Sequence, residues 1–339
     1  MAKTSVGVEI TEESVRAVEL TRGSNPRIVA AGEVPLPPDA AKDSEVIDQE
    51  AVALALRQLW SRAGIRSRNV TLGVGSRRVL IREHSTQELS PPLLKQALPF
   101  QVQELLPVPV NQAVLDFYPI SRGDGMLHGL LVAAVSETIE DLISSLAKAK
   151  LRVDAVDLVP FGLARATRSL ASPAETMAIV HVGDHTSYVV VTLDGIPQFV
   201  RIIPADLETA AVRARAEAVA EAEANVETVP ADAAPLRGRA ALRAASASAA
   251  AIADLAARVH STLAFHAGRP GGSPVATIRV CGAGAAVPGV LEALASAIDA
   301  PLSPVTAEEV VLSRSIELGS ADLALNLVGT AGIALDGGR

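Results

Sequence analysis

The chain has 339 residues, 49% of them hydrophobic but only 2% aromatic, with a formal net charge of −8. That length supports one large or two medium cores, and they must be built from Ala, Val, Leu and Ile. The acidic balance, without Lys/Arg clusters among aromatics, excludes a nucleic-acid footprint, and no run approaches the ~18–20 apolar residues of a membrane span.

The opening Met1-Ala-Lys-Thr-Ser5 runs straight into a strand and Glu9 interrupts any apolar core, so no signal peptide is expected. Residues 6–20 read as a β-hairpin, with two alternating strands around a short polar turn. Arg27–Val34 gives a third strand, ended by Pro35-Leu-Pro-Pro38. A helix follows, with Ile47, Ala51, Leu54, Ala55 and Leu59 on one face, Asp43 or Ser44 as N-cap and Gly64 at its end. Asn69–Val74 returns as a strand.

From Arg77 to Val159 a second unit is expected. Val79–His84 reads as a strand, and Pro91–Leu106 as a short helix broken near Pro99. Ala113–Ile120 and Leu127–Val135 are strands around the turn Arg122-Gly-Asp-Gly125. Ser136 starts a helix with Ile139, Leu142, Ile143, Leu146 and Ala147 on one face.

The second half repeats the opening pattern. Residues 179–193 read as a like hairpin, and Pro197–Ile203 follows as a strand after the turn Asp194-Gly195. Asp206–Ala257 is helix-prone, with residues 229–235 as a loop. From Ile252 the apolar face sharpens to Ile252, Leu255, Val259 and Leu263. The strand Thr277–Cys281 leads through a glycine-rich turn into a helix starting at Pro288.

The two hairpin turns and the glycine turn supply the candidate ligand-binding residues. They are Glu9, Thr11 and Glu12 in the first hairpin, Gly183, Asp184, His185 and Thr186 in the second, and Gly282, Ala283, Gly284 and Ala285 in the turn. Small residues let a backbone approach a ligand, and a helix N-terminus offers free N–H groups. Alone the turn is weak evidence, because it matches neither G-x-G-x-x-G nor a Walker A loop. No catalytic residue and no metal ligand is expected. His260 and His266 lack metal-ligand spacing, there is no Gly-x-Ser-x-Gly elbow, and Trp60 reads as a packing residue. The single cysteine, Cys281, excludes an internal disulfide, fits a reducing compartment and reads as buried and inert.

Hairpin, hairpin and glycine turn, in that order, resemble the actin-like ATPase superfamily. This is an α/β fold of two duplicated RNase H-like halves, here with a small subdomain inserted in the first. Val79–Glu83, Leu98–Phe100, Leu105–Pro107, Val114–Tyr118, Leu130–Ser136, Val153–Asp157, Phe161–Arg165, Gly195–Ile203 and Leu327–Leu335 resemble the PilM family of type IV pilus assembly proteins. The resemblance implies a first half over 1–76 completed by 160–176, an insert over 77–159, a second half over 177–205 and 273–339, and an Ala-rich helical subdomain over 206–272. It implies ATP as nucleotide, with phosphates at the hairpin turns and adenosine at the glycine turn. It also implies a cytoplasmic adaptor in a pilus or related type II secretion platform, peripheral to the inner membrane. The implied partner is the cytoplasmic N-terminal tail of a PilN-like bitopic membrane protein, gripped at the insert, with pilus motor components beyond. Direct membrane insertion is not implied.

The chain departs from the family at the two hairpins, which there carry an aspartate near the end of the first strand. Here those positions hold Glu9 and His181. Imidazole is a poor ligand for hard Mg²⁺, so Mg²⁺ is expected to be poorly held and hydrolysis negligible. Asp184 reads as a turn residue bonding the backbone, and Glu12 and Glu13 require a cation nearby if phosphates are to bind. The rival readings are an active ATPase or small-molecule kinase, and an FtsA-like filament protein. The latter ends in an amphipathic helix that Leu335-Asp-Gly-Gly-Arg339 does not supply.

Overall fold

A computed structural model describes residues 3–224, 234–311 and 318–335, with side chains outside 222–245. The expected loop at 229–235, apart from its last two residues, and the segment 336–339 lie outside the described residues. Strands β1 (Thr4–Ile10), β2 (Ser14–Thr21) and β3 (Ile28–Pro35) form an antiparallel meander. A two-strand ribbon, β4 (Ala41–Lys42) and β5 (Glu45–Val46), leads into helix α1 (Gln49–Ala63) and strand β6 (Asn69–Val74). Asp43 and Ser44, expected as helix caps, instead form the ribbon's turn with φ of 54° and 62°. The N-cap is Asp48, whose carboxylate accepts from the N–H groups of Glu50 and Ala51. The helix therefore buries Val52, Leu56, Leu59 and Trp60, while Ile47 and Leu54 of the expected face are exposed.

Next come β7 (Leu80–Gln87), α2 (Pro91–Val102), β8 (Ala113–Gly123) and β9 (Met126–Val135), whose strands make a separate antiparallel sheet ordered β7-β9-β8. Leu98, Val102, Phe117, Leu127 and Leu131 give it a small core of its own. Helix α3 (Ser136–Lys148) then packs on α1, and β10 (Arg152–Leu158) pairs with β6 in parallel. Residues 152–158, expected inside the insert, thus form the edge of the first sheet, ordered β10-β6-β1-β2-β3. Their side chains are largely exposed, which removes the apolar alternation that marks a strand.

Helix α4 (Val159–Thr167) leads to β11 (Thr176–His181), β12 (Thr186–Leu193) and β13 (Ile196–Pro204). Helices α5 (Ala210–Ala224) and α6 (Ala234–Gly268) follow, then β14 (Thr277–Cys281), α7 (Val290–Ala297), β15 (Leu302–Pro304), α8 (Ala307–Val310), α9 (Ala321–Asn326) and α10 (Val328–Ala334). The second sheet, β13-β12-β11-β14-β15, repeats the first strand for strand: two antiparallel pairings on one side of the central strand, two parallel ones on the other. Ile252, Leu255, Val259 and Leu263 of α6 are buried in its outer core. Pro288 precedes α7 rather than starting it, because Gly289 takes the N-cap with φ 90°.

The halves meet through α4 and α10, which cross in close contact. A Cβ on Gly332 would stand 1.9 Å from the Gly162 carbonyl oxygen, so only glycine allows this approach. One apolar cluster runs through the crossing from Val8 and Leu72 to Met177 and Val190. Among the described residues, no helix is long and apolar enough to cross a membrane.

Candidate functional site

The β1–β2 and β11–β12 turns face each other at the same end of the two sheets. Of the expected residues, Glu9, Thr11, Glu12, Gly183, Asp184, His185 and Thr186 line one small cavity between them. The turns are there because Ile10 pairs with Val15 and His181 with Tyr188, leaving short loops to protrude. The cavity measures about 30 Å³, room for a water molecule or two.

What fills the space is Arg16. It projects from β2 and is 2% exposed. Its Nη1 donates to Asn326 Oδ1 and, at 3.3 Å, to the Asn326 carbonyl; Nη2 donates to Thr11 Oγ1 at 3.3 Å. The carboxylates of Glu33 and Asp184 each lie 3.8 Å from a guanidinium nitrogen. Burial alone would lower the arginine's pKa, but Glu33, Glu9 and Asp184 outweigh it and hold the guanidinium charged. Asp184 does not bond the turn backbone through its side chain as expected; it accepts from Thr209 Oγ1 at 2.5 Å. Burial raises its pKa, with Arg16 and Thr209 pulling the other way.

Behind Arg16, Glu9 is buried and accepts from the Thr330 hydroxyl at 2.8 Å. Burial raises its pKa, against the lowering effect of Arg16. His181 is buried too, its ring 5.3 Å from that of Tyr188 and its Nδ1 3.6 Å from Cys281 Sγ. Burial first, and then Arg16, push its pKa down to about 3, so the ring is neutral at pH 7. Tyr188 donates to the Gly75 carbonyl at 2.5 Å, and burial raises both its pKa and that of Cys281. A neutral imidazole, a hydroxyl and a thiol of raised pKa offer a metal no charge to hold it.

At the mouth, the two turns are tied together. His185 Nε2 meets Glu13 Oε1 at 2.8 Å across the cleft, and its Nδ1 meets Asp206 Oδ1 at 2.8 Å. Arg215 of α5 donates to Glu13 Oε1 at 2.9 Å. Burial opposes protonation of His185, yet the hydrogen bonds to Glu13 and Asp206 push its pKa up to about 9. Burial would raise Glu13, but His185 and Arg215 outweigh it and lower its pKa. The cations that Glu12 and Glu13 require are thus protein side chains.

The glycine turn lies beside this network. Gly282 has φ 93°, and a Cβ there would strike the Val182 carbonyl oxygen at 2.3 Å. Its neighbours' N–H groups are spent inside the protein: Ala283 donates to Asn326 Oδ1, Gly284 to the Val182 carbonyl and Ala285 to the Gly282 carbonyl. Gly284 and Ala285 are buried, and only Ala283 of the four opens onto the adjoining pocket. That pocket, about 420 Å³, is also lined by Ser14, Glu33, Ala210, Asp322 and Asn326.

Sequence reasoning did not single out Arg16, Glu33, Thr209, Arg215 or Asn326. Arg16 had a local signal, since a charged residue breaks an apolar strand run; the others are brought in by α5, α9 and β3.

The family model described as type IV pilus assembly protein PilM matches residues 7–202. Among solved structures, the chain is similar to one described as the PilM-PilN type IV pilus biogenesis complex, at TM-score 0.79 and 20% identity over 97% of each chain. It is also similar to the ethanolamine utilization protein EutJ from Carboxydothermus hydrogenoformans, at 0.51 and 14% over 99% of this chain and 90% of that one. A third likeness is to the cytoplasmic domain of EpsL, an inner membrane component of the type II secretion system of Vibrio cholerae, at 0.51 and 12% over 91% and 93%. Together with the duplicated sheets, these likenesses establish an actin-like ATPase fold with a small insert in its first half.

Proposed function

The chain belongs to the PilM family of type IV pilus assembly proteins, and on that premise we propose that it is a cytoplasmic adaptor, not a motor. It holds the cytoplasmic tail of a PilN-like membrane protein and is peripheral to the inner membrane through that partner. The observation that carries this reading is the filled phosphate end of the cleft. With Arg16 in place and the turns joined by His185 and Glu13, a cavity of about 30 Å³ remains. Ligand pockets run to about 300–1,000 Å³. A triphosphate with Mg²⁺ does not fit there, and no hydrolytic step follows from these residues. The adjoining pocket of about 420 Å³ has the size of a nucleoside site, and we assign adenosine-nucleotide binding, without significant turnover, to that side.

For the tail, the geometry favours the groove between β7 and β13. Each is the edge strand of its sheet among the described residues, so each leaves a row of backbone groups unpaired. The groove, about 480 Å³, is lined by apolar Ile81, Leu130, Phe199 and Phe265, with Arg82 and Arg201 at its rim. Phe265 is 64% exposed, an unusual state for so large a ring. Arg269, just past the end of α6, stacks 5.1 Å from the Phe199 ring and pairs with Glu83 of β7. An extended segment adding to either edge would set alternate side chains on this floor.

Fluorescence anisotropy with the labelled N-terminal cytoplasmic tail of a PilN-like protein, with ATP turnover measured alongside, tests both parts. Binding should weaken about tenfold or more for Phe265→Ala, a loss of ~1.4 kcal/mol or above, with ATP turnover at background throughout. Mg²⁺-dependent turnover above background that disappears in Glu9→Gln would make the protein an ATPase instead.

A further inference from the structure

The mouth of the cleft gathers donors that the proposed tail binding does not use. His185 Nε2 and one carboxylate oxygen each of Glu12 and Glu13 lie within 4.8 Å of one another. Glu12 is held in place by the Asp43 N–H, which donates to its Oε2 at 2.9 Å. The second oxygen of the Glu13 carboxylate, Oε2, is buried without any hydrogen-bond partner, and Glu13 as a whole is 4% exposed. An unpartnered buried carboxylate oxygen is costly unless a cation meets it. Glu12, Glu13 and Asp206 bring three negative charges against Arg215 and the proton that His185 shares with Glu13.

We propose that Glu12, Glu13 and His185 form a binding site for a divalent transition-metal ion of the Zn²⁺ class, bridging the two hairpin turns. The donor set decides the metal: one imidazole nitrogen with carboxylate oxygens suits Zn²⁺ and its neighbours, whereas Mg²⁺ demands oxygen ligands. Asp206 supplies the supporting shell. By accepting from His185 Nδ1 at 2.8 Å it fixes the tautomer that leaves Nε2 free to ligate, the carboxylate–histidine arrangement of metal sites. On binding, the metal takes the place of the proton between Nε2 and Glu13 Oε1, and that proton leaves to solvent. The otherwise unpartnered Oε2 completes a two-oxygen grip on the ion while Arg215 stays on Oε1. The 2.8 Å separation of Nε2 and Oε1 must widen to about 3.3 Å, which tetrahedral bonds of ordinary length require. Three protein ligands leave a fourth position for water.

The test uses the full chain without an affinity tag, stripped with EDTA and then dialysed against Zn²⁺ or Co²⁺. Retained metal is read by mass spectrometry, and Co²⁺ geometry by its visible absorption. One equivalent per chain should be retained, with the intense bands of four-coordinate Co²⁺. Both His185→Asn and Glu12→Gln should weaken retention by about tenfold or more. Glu12 is partly exposed, so its amide variant keeps the fold, checked by circular dichroism. His128→Asn, on an exposed strand position, should change nothing. No retained metal, or equal retention by all variants, overturns the site.

Discussion

Arg16 is the residue on which the cleft turns. Buried Glu9 and Asp184 and half-buried Glu33 surround one buried guanidinium, so removing the arginine leaves carboxylates without their cation. Arg16→Met should lower stability by about 3–5 kcal/mol in chemical denaturation, the cost of breaking a buried ion pair on one side. Arg16→Lys should fail to restore it, since a lysine cannot reach Asn326, Thr11 and Glu33 from one planar head. His181 makes a second prediction. Its folded pKa near 3 lies below the unfolded value near 6.5, so below pH 6.5 the unfolded chain takes up a proton that the folded chain refuses. Stability therefore falls with pH through that window, by about 2 kcal/mol at pH 5 from this group. His181→Gln should remove that acid-side slope in urea titrations at pH 7.5 and 5. Little of this was legible in sequence. Glu9 and His181 stood out as substitutions at a motif, but Asn326 reaches Arg16 across 310 positions and His185 reaches Glu13 across 172. No local pattern encodes such pairs.

Elements were legible where their apolar period was clean. Each hairpin shows two strand-length apolar runs around a short polar turn, and the α6 face from Ile252 to Leu263 is buried as its spacing requires. Helix α1 was found with Ala55 and Leu59 on the buried face, but its cap was placed four or five residues early, which put Ile47 and Leu54 on the wrong side. The corrected face predicts that Leu56→Ala costs about 2–5 kcal/mol, while Leu54→Ala, on the exposed side, stays within about 0.5 kcal/mol. Asp48→Ala should cost about 1 kcal/mol through the lost cap. Thermal and urea melts of the three variants give the ranking. Strand β10 escaped notice because parallel pairing with β6, not its own side chains, makes it a strand.

At the scale of the molecule, the α4–α10 crossing decides how the halves are joined. Gly332→Ala would place a methyl carbon against the Gly162 carbonyl and should destabilise the chain by about 3 kcal/mol, the upper end for overpacking, seen as a shifted denaturation midpoint. A further expectation concerns nucleotide. With the phosphate end filled by Arg16 and the nucleotide assigned to the adjoining pocket, calorimetric ATP affinity should differ less than about twofold with and without Mg²⁺, well under 1 kcal/mol.

The groove between β7 and β13 has one wall on the insert of the first half and the other on the second sheet. Its width is therefore a coordinate of the angle between the halves, as is the gap between the hairpin turns. Two ligands read along one coordinate are thermodynamically linked. With the tail seated in this groove as proposed, whatever tightens the cleft mouth alters the grip on the tail by the same factor that the tail alters its hold on the mouth. On this view, the tail is a gauge of the cleft.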